Sequence, residues 1–170
     1  MWTRDLSPRS RHSKTCWREA DGVTDLPFTG DPSTFLTAGD ARRVDKPWGW
    51  EIHWTPTDRP YVAKMLHVFA GKRLSLQLHD EKLESWFLMA GRAKVVWDDG
   101  TGEMIETEFE PGLGYSCAIG QRHRLVGITD CDVVEVSTPE LGTTYRLQDD
   151  YARSDETEAV RDAPGRGWAG

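Results

Sequence analysis

Four polar side chains stand where a strand-rich chain would otherwise place packing residues: Gln77, His79, Glu84 and His123. Gln77 and His79 lie two apart in Leu74-Ser75-Leu76-Gln77-Leu78-His79. That stretch alternates cleanly, so it reads as a strand with Ser75, Gln77 and His79 on one face and the three leucines on the other. Glu84 opens the next apolar run after a short loop, which can bring it alongside them. His123 comes much later, after a Pro111-Gly112 turn and the loop Gly120-Gln121-Arg122, and it precedes another strand. Two imidazoles, one carboxylate and one amide oxygen around a point suit a single divalent metal ion, with water or substrate oxygens completing the set. The mixed nitrogen and oxygen donors fit Zn, Mn, Co, Ni or Fe alike. A lone strand histidine has a plainer reading, hydrogen-bonded or facing solvent, and His53 and His67 are expected to be of that kind. The spacing of the four residues together is what points to metal.

The elements that must position these residues are short strands. Bulky or apolar residues recur in 48–54, 61–69, 74–79, 85–89, 93–97, 104–109, 113–119, 124–128 and 132–137. Gly, Pro and Asp punctuate them, as at Ala70-Gly71-Lys72, Asp98-Asp99-Gly100 and Glu110-Pro111-Gly112. Many short strands between such turns mean a β-sandwich or barrel, an all-β domain. The strand-rich region is expected to span 44–153. Residues 1–43, rich in Arg, Ser, Thr, Asp, Gly and Pro, read as an irregular N-terminal extension, and 154–170 as a flexible C-terminal tail in which 156–161 could form a short helix.

The bulk properties exclude several functions. A net charge of -7 and an isoelectric point near 5.2 argue against a nucleic-acid partner, which needs a basic face. No apolar stretch approaches the roughly 18–20 residues that cross a bilayer, so no membrane partner is expected. The first twenty residues carry charges throughout and hold no continuous apolar run, so no secretory signal is expected. Cys16, Cys117 and Cys131 are an odd, widely spaced set, which suits a cytoplasmic protein better than a disulfide scaffold. Cys117 and Cys131 fall in strand patterns and are expected as core thiols. Of the eight Trp, those at 48, 50, 54, 86 and 97 sit in strands and are expected to fill the core or an interface.

Taken in order, the stretches Lys46-Pro47-Trp48-Gly49-Trp50-Glu51, Tyr61-Val62-Ala63-Lys64, Leu74 to His79, Leu83-Glu84-Ser85-Trp86, His123-Arg124-Leu125 and Val134-Glu135-Val136 resemble the cupin superfamily. More narrowly they resemble the cupin domain of type II phosphomannose isomerases, often fused behind a GDP-mannose pyrophosphorylase. A closing Tyr145-Arg146-Leu147-Gln148-Asp149-Asp150-Tyr151-Ala152-Arg153 extends the match. The resemblance implies a cupin-type jelly-roll β-barrel, a metal held by Gln77, His79, Glu84 and His123, and basic substrate contacts at Lys64, Arg124, Arg146 and Arg153. It also implies a homodimer. There are departures: Lys82 stands where the family has Arg, Ser85 where it has His, and Leu141-Gly142 runs into Thr143-Thr144 where the family has an acidic segment. No nucleotidyltransferase region is found in these residues, so pyrophosphorylase activity is not expected.

The implied reaction interconverts an aldose phosphate and a ketose phosphate by moving a proton between adjacent carbons. It needs a Lewis acid at the carbonyl and a base poised near neutral pH. Lys82, Glu135 and a metal-bound hydroxide are the candidate bases, and Lys82 would serve if burial lowered its pKa. Arg146 joins them as a catalytic candidate, while Lys64, Arg124 and Arg153 would hold the phosphate, Arg being the better bidentate anion clamp. His79, Glu84 and His123 alone also form a two-His-one-carboxylate set, which with iron could activate oxygen. A stand-alone tailoring enzyme of dioxygenase or epimerase type is therefore the alternative, and a non-catalytic sugar-binding cupin a third reading.

Overall fold

Period-two alternation and closely spaced turns give strands too short to form a core singly, so they must stack as two sheets. The computed structural model describes residues 41–164, all within one unit, Ala38–Gly170. Its strands are β1 (Arg42–Lys46), β2 (Gly49–His53), β3 (Val62–Val68), β4 (Leu76–His79), β5 (Glu84–Ala90), β6 (Ala93–Asp98), β7 (Met104–Glu108), β8 (Gly114–Cys117), β9 (His123–Gly127), β10 (Cys131–Ser137) and β11 (Thr144–Gln148). One short helix, α1 (Glu158–Asp162), follows. The first sheet has the order β1-β2-β3-β10-β5-β8 and the second β11-β4-β9-β6-β7. Every pairing is antiparallel. This is the all-β jelly-roll barrel that the sequence implies.

Between the sheets lie Trp48, Leu66, Val68, Trp86, Leu88, Val95, Phe109, Leu125 and Val133, all buried, with the thiols of Cys117 and Cys131 among them. The polar face of β4 turns inward too. Ser75 and His79 are buried while Leu76 and Leu78 are only half-buried, so the polar series of that strand takes interior positions that apolar side chains fill elsewhere. No helix of the described residues is long and apolar enough to cross a membrane.

Two strands escape the sequence reading. β1 carries the charged pattern Arg-Arg-Val-Asp-Lys and forms by pairing with β2 around a tight turn, Lys46 opposite Gly49. It starts at Arg42, inside the stretch expected to be irregular; the rest of that extension, and Cys16, fall outside the described residues. β11 is polar and becomes a strand by pairing with β4. The tail expected to be flexible is tied down where it is described. Glu156 forms a backbone bridge with Thr144, with hydrogen bonds of 2.9 and 3.0 Å, and its side chain is buried. The expected 156–161 helix forms two residues later, at α1.

Gly91, in the turn between β5 and β6, has φ +76°, and a Cβ there would meet the Asp130 carbonyl oxygen at 2.1 Å and the Cys131 Cα at 2.8 Å. Both neighbours are backbone and cannot swing aside. Gly91→Ala is expected to destabilise the barrel by about 2 kcal/mol or more, measured by chemical denaturation.

Candidate metal centre and charged cleft

Sheet pairing places the chemistry. On the second sheet, Gln77 of β4 lies opposite His123 of β9, and His79 lies opposite Thr144 of β11. From the first sheet, Glu84 enters as the first residue of β5, and Glu135 of β10 lies between its register partners Lys64 and Trp86. His79, Glu84 and His123 meet at the centre of the barrel at 3%, 3% and 1% exposure. One donor atom from each lies within 4.8 Å of the other two.

The orientation of the rings is set from behind. His123 Nδ1 donates to the Gln121 carbonyl oxygen at 2.8 Å, and His79 Nδ1 is 2.9 Å from the Thr144 hydroxyl. Each ring thereby turns Nε2 toward Glu84 Oε1, at 2.8 Å for His123 and 3.4 Å for His79. Trp86 packs edge-on against His123, ring centres 5.4 Å apart. Despite their closeness, Glu84 Oε1 and His123 Nε2 are off the line of a hydrogen bond, and both are buried without such a partner. With Nδ1 committed as donor, His123 offers a lone pair at Nε2 once that nitrogen gives up its proton, and the carboxylate oxygen offers another. Buried lone pairs converging on one point, with each Nδ1 engaged behind, are the arrangement a divalent cation needs. The residues therefore fit a metal ion. Gln77 stands beside them with its amide nitrogen 3.5 Å from His79 Nε2, its oxygen accepting from Ser75 Oγ at 2.7 Å. Turning the amide over would present the oxygen, which a ligand role requires.

The other edge of Glu84 meets Lys82, whose Nζ is 2.7 Å from Oε2 and 2.8 Å from Glu135 Oε1. Lys64 lies 3.5 Å from the same Glu135 oxygen and bonds Glu140. Burial alone would raise the Glu84 pKa; the Lys82 ammonium, with His123 and His79, outweighs it and holds the carboxyl well below its usual range. Burial alone would lower Lys82, but Glu135, Glu84 and Glu140 outweigh it and raise it well above its usual value. That direction is opposite to the lowering a Lys82 base would need. Lys82 is a fixed ammonium here, because carboxylates flank it. Burial also works against the His123 imidazolium, yet Cys117 and Glu84 lift its pKa to about 10. Glu84 Oε1 thus calls for a positive charge on its open side.

Of the residues expected to contact substrate, Lys64, Lys82, Glu135, Arg146 and Arg153 line one cleft with Gln77 and His79. Arg124 does not. Neighbouring strand residues point to opposite faces, so with His123 directed inward Arg124 leaves by the other side, where Nη2 donates to the Gln148 carbonyl at 2.8 Å. The remaining basic residues already have acids: Arg146 Nη2 is 2.5 Å from Glu156, and Arg153 Nη2 is 2.6 Å from Asp149. Glu140, Glu156 and Thr144 were missed by sequence reasoning, whereas Ser75 lies on the face expected for it. The two glutamates sit in polar loop stretches and read as surface charges; Thr144 lies where the chain departs from its resembled family.

Fold and centre together define a cupin-type barrel with an internal His-Glu-His cluster. The chain belongs to the family described as mannose-6-phosphate isomerase C-terminal, which it matches over residues 37–156. The alginate biosynthesis protein AlgA of Pseudomonas aeruginosa is 31% identical over 118 residues, covering 66% of this chain and 23% of AlgA. A mannose-1-phosphate guanylyltransferase of Escherichia coli is 32% identical over 117 residues, covering 66% and 23%. The chain thus spans less than a quarter of these curated relatives, and the second is named for guanylyl transfer rather than isomerisation. Among solved structures, the oxalate decarboxylase formate complex of Lactobacillus farciminis matches with a TM-score of 0.56 at 20% identity, over 66% of this chain and 35% of that one. Oxalate decarboxylase from Bacillus subtilis matches with a TM-score of 0.56 at 15% identity, over 66% and 31%. At such identities these structures speak for the fold alone.

Lys82→Met would leave Glu84 and Glu135 facing each other across an apolar side chain. Removing one member of a buried ionic group is expected to cost about 3–5 kcal/mol, read as a lowered denaturation midpoint; Lys82→Arg should recover most of it.

Proposed function

We propose that this protein is a metal-dependent enzyme of aldose–ketose isomerase type, acting in the cytoplasm on a small polyhydroxylated carbonyl substrate. The observation that carries the reading is the buried convergence of His79 Nε2, Glu84 Oε1 and His123 Nε2, the last two without a hydrogen bond, behind a polar cleft that His79 lines. His79, Glu84 and His123 would hold the ion, with Gln77 as a fourth donor. When bound, a divalent ion supplies a Lewis acid for a carbonyl oxygen and its neighbouring hydroxyl.

The chain's own groups would do the rest. In the isomerisation a proton leaves one carbon and another returns to its neighbour, while one hydroxyl proton moves to the former carbonyl oxygen. Glu135 lines the cleft and shares Lys82 with Glu84, which makes it the candidate for carrying the carbon-bound proton. Lys82, held as an ammonium, would donate a hydrogen bond to developing negative charge on oxygen. Arg146, fixed by Glu156 and the Ser154 carbonyl, would orient hydroxyls at the cleft wall. The homodimer implied by the resemblance is part of the proposal; Phe87, Met89 and Val136, exposed on the first sheet, are side chains a second copy would cover.

The purified chain is expected to hold one divalent ion, measured by elemental analysis and titration, and His79→Ala or His123→Ala should lose it. Thr144→Val should weaken it about tenfold by freeing the His79 ring. With the ion bound, deuterium from heavy water should enter an aldose–ketose pair such as mannose and fructose or their 6-phosphates, and His79→Ala should abolish this. Ion uptake without exchange in either pair sinks the isomerase reading; iron with substrate-dependent oxygen uptake replaces it with oxygenase chemistry.

A further inference from the structure

Of the basic side chains that line the cleft, Lys64, Arg146 and Arg153 were expected to contact substrate, and each basic side chain there faces a carboxylate of this chain instead. Lys64 bonds Glu140. Arg146 meets Glu156 at 2.5 Å, with side chains 5% and 9% exposed. Arg153 meets Asp149 at 2.6 Å, at 7% and 5%. Lys46 faces Glu51 at 3.5 Å, at 5% and 9%, and Lys82 lies between Glu84 and Glu135.

These acids are built into the framework. Glu156 is held on both sides of its backbone by Thr144. Asp149 also accepts from the Arg153 backbone N–H at 2.8 Å. Glu140 lies in the short 138–143 connection, which is anchored by Thr138 N–H to the Leu83 carbonyl at 3.0 Å and by Thr143 N–H to Asp80 at 2.7 Å. An incoming dianion would have to displace a carboxylate from a buried cation and leave it unpaired, which is unfavourable on both counts. A hydroxyl behaves differently. It donates to a carboxylate and accepts from an ammonium or guanidinium in the same place, so a neutral polyol can insert its oxygens along existing ion pairs without breaking them.

We infer that the cleft selects a substrate that is uncharged where it meets Lys64, Arg146 and Arg153: a neutral hydroxycarbonyl compound of the sugar class, and not its phosphate ester at that end. Glu140 and Glu156 are the specificity-determining residues, since they already neutralise the Lys64 and Arg146 cations that a phosphate would need. The inference deepens the isomerase reading and rests on it for the carbonyl group.

The test is calorimetric titration of the full chain, its metal site saturated, with inorganic phosphate at fixed ionic strength. Any contact of phosphate with the ion is common to all variants, so their comparison reads the paired side chains. Wild type should bind phosphate with a Kd weaker than about 1 mM. Glu140→Gln and Glu156→Gln should each tighten it at least tenfold, and adding Lys64→Met to Glu140→Gln should cancel that gain. Phosphate affinity unchanged by either glutamine, or tight wild-type binding that Lys64→Met or Arg146→Met removes, overturns the inference. A second measurement needs no variant: by saturation-transfer NMR, mannose should bind at least as well as mannose 6-phosphate, and tenfold tighter binding of the phosphate overturns it. Failure of the metal reading would instead show in the ion content, which these comparisons do not use.

Discussion

Glu84 carries a negative charge into the centre of an apolar barrel, and much of the interior follows from neutralising its two oxygens separately. A carboxylate so far from water is tolerable only with opposite charge and hydrogen-bond donors close by. Lys82 takes Oε2, but a buried ammonium raises the same demand, which Glu135 meets; Glu135 in turn engages Lys64, and Lys64 ends on Glu140 near the mouth. The result is an alternating file of charges leading from the barrel centre outward. Oε1 is left to the two imidazoles. Because Lys82 occupies one edge, Glu84 presents a single oxygen to the cluster, so the lysine that departs from the family pattern also governs how the glutamate can bind a cation.

Much of this was legible in the sequence, and the parts that were not share a cause. The interior cluster could be read because Gln77 and His79 are two apart on an alternating strand and Glu84 begins the next one, so local geometry alone brings three of the four together. Most strands were readable from turn residues and period two, though not their order in the sheets. β1 and β11 were not, since each is polar and becomes a strand only through the neighbour it pairs with. The same limit applies to charges. The family resemblance alone pointed Lys64, Arg146 and Arg153 toward substrate, but Glu140, Glu156 and Asp149 reach them from loops whose course depends on the assembled barrel. Reading a basic residue as an anion clamp presumes that no acid of the same chain arrives first. Arg124 shows a simpler error: it stands next to a cluster histidine in the chain, and for that reason points the other way.

The family assignment and the cleft therefore carry different information. The matched region, 37–156, contains the barrel and the donor set, and relatives at about 30% identity share that region as a fraction of much longer chains. The donors behind the metal reading depend on backbone positions common to the barrel. The polar lining depends on loops and on the segment after β11, where single acidic side chains change what the same pocket can accept.

That final segment reaches the centre by a short route. Thr144 bonds His79 with its hydroxyl and Glu156 with its backbone, while Glu156 also holds Arg146. The residues just past the last strand thus act as a clasp on the wall that carries a cluster histidine. A version of this domain trimmed at Arg153, where the family-like motif ends, could keep every strand of the barrel and still let that wall drift. The functional boundary of the domain therefore lies beyond its last strand, at Glu156 or later, and grafts or fusions of this barrel need to carry the clasp with it.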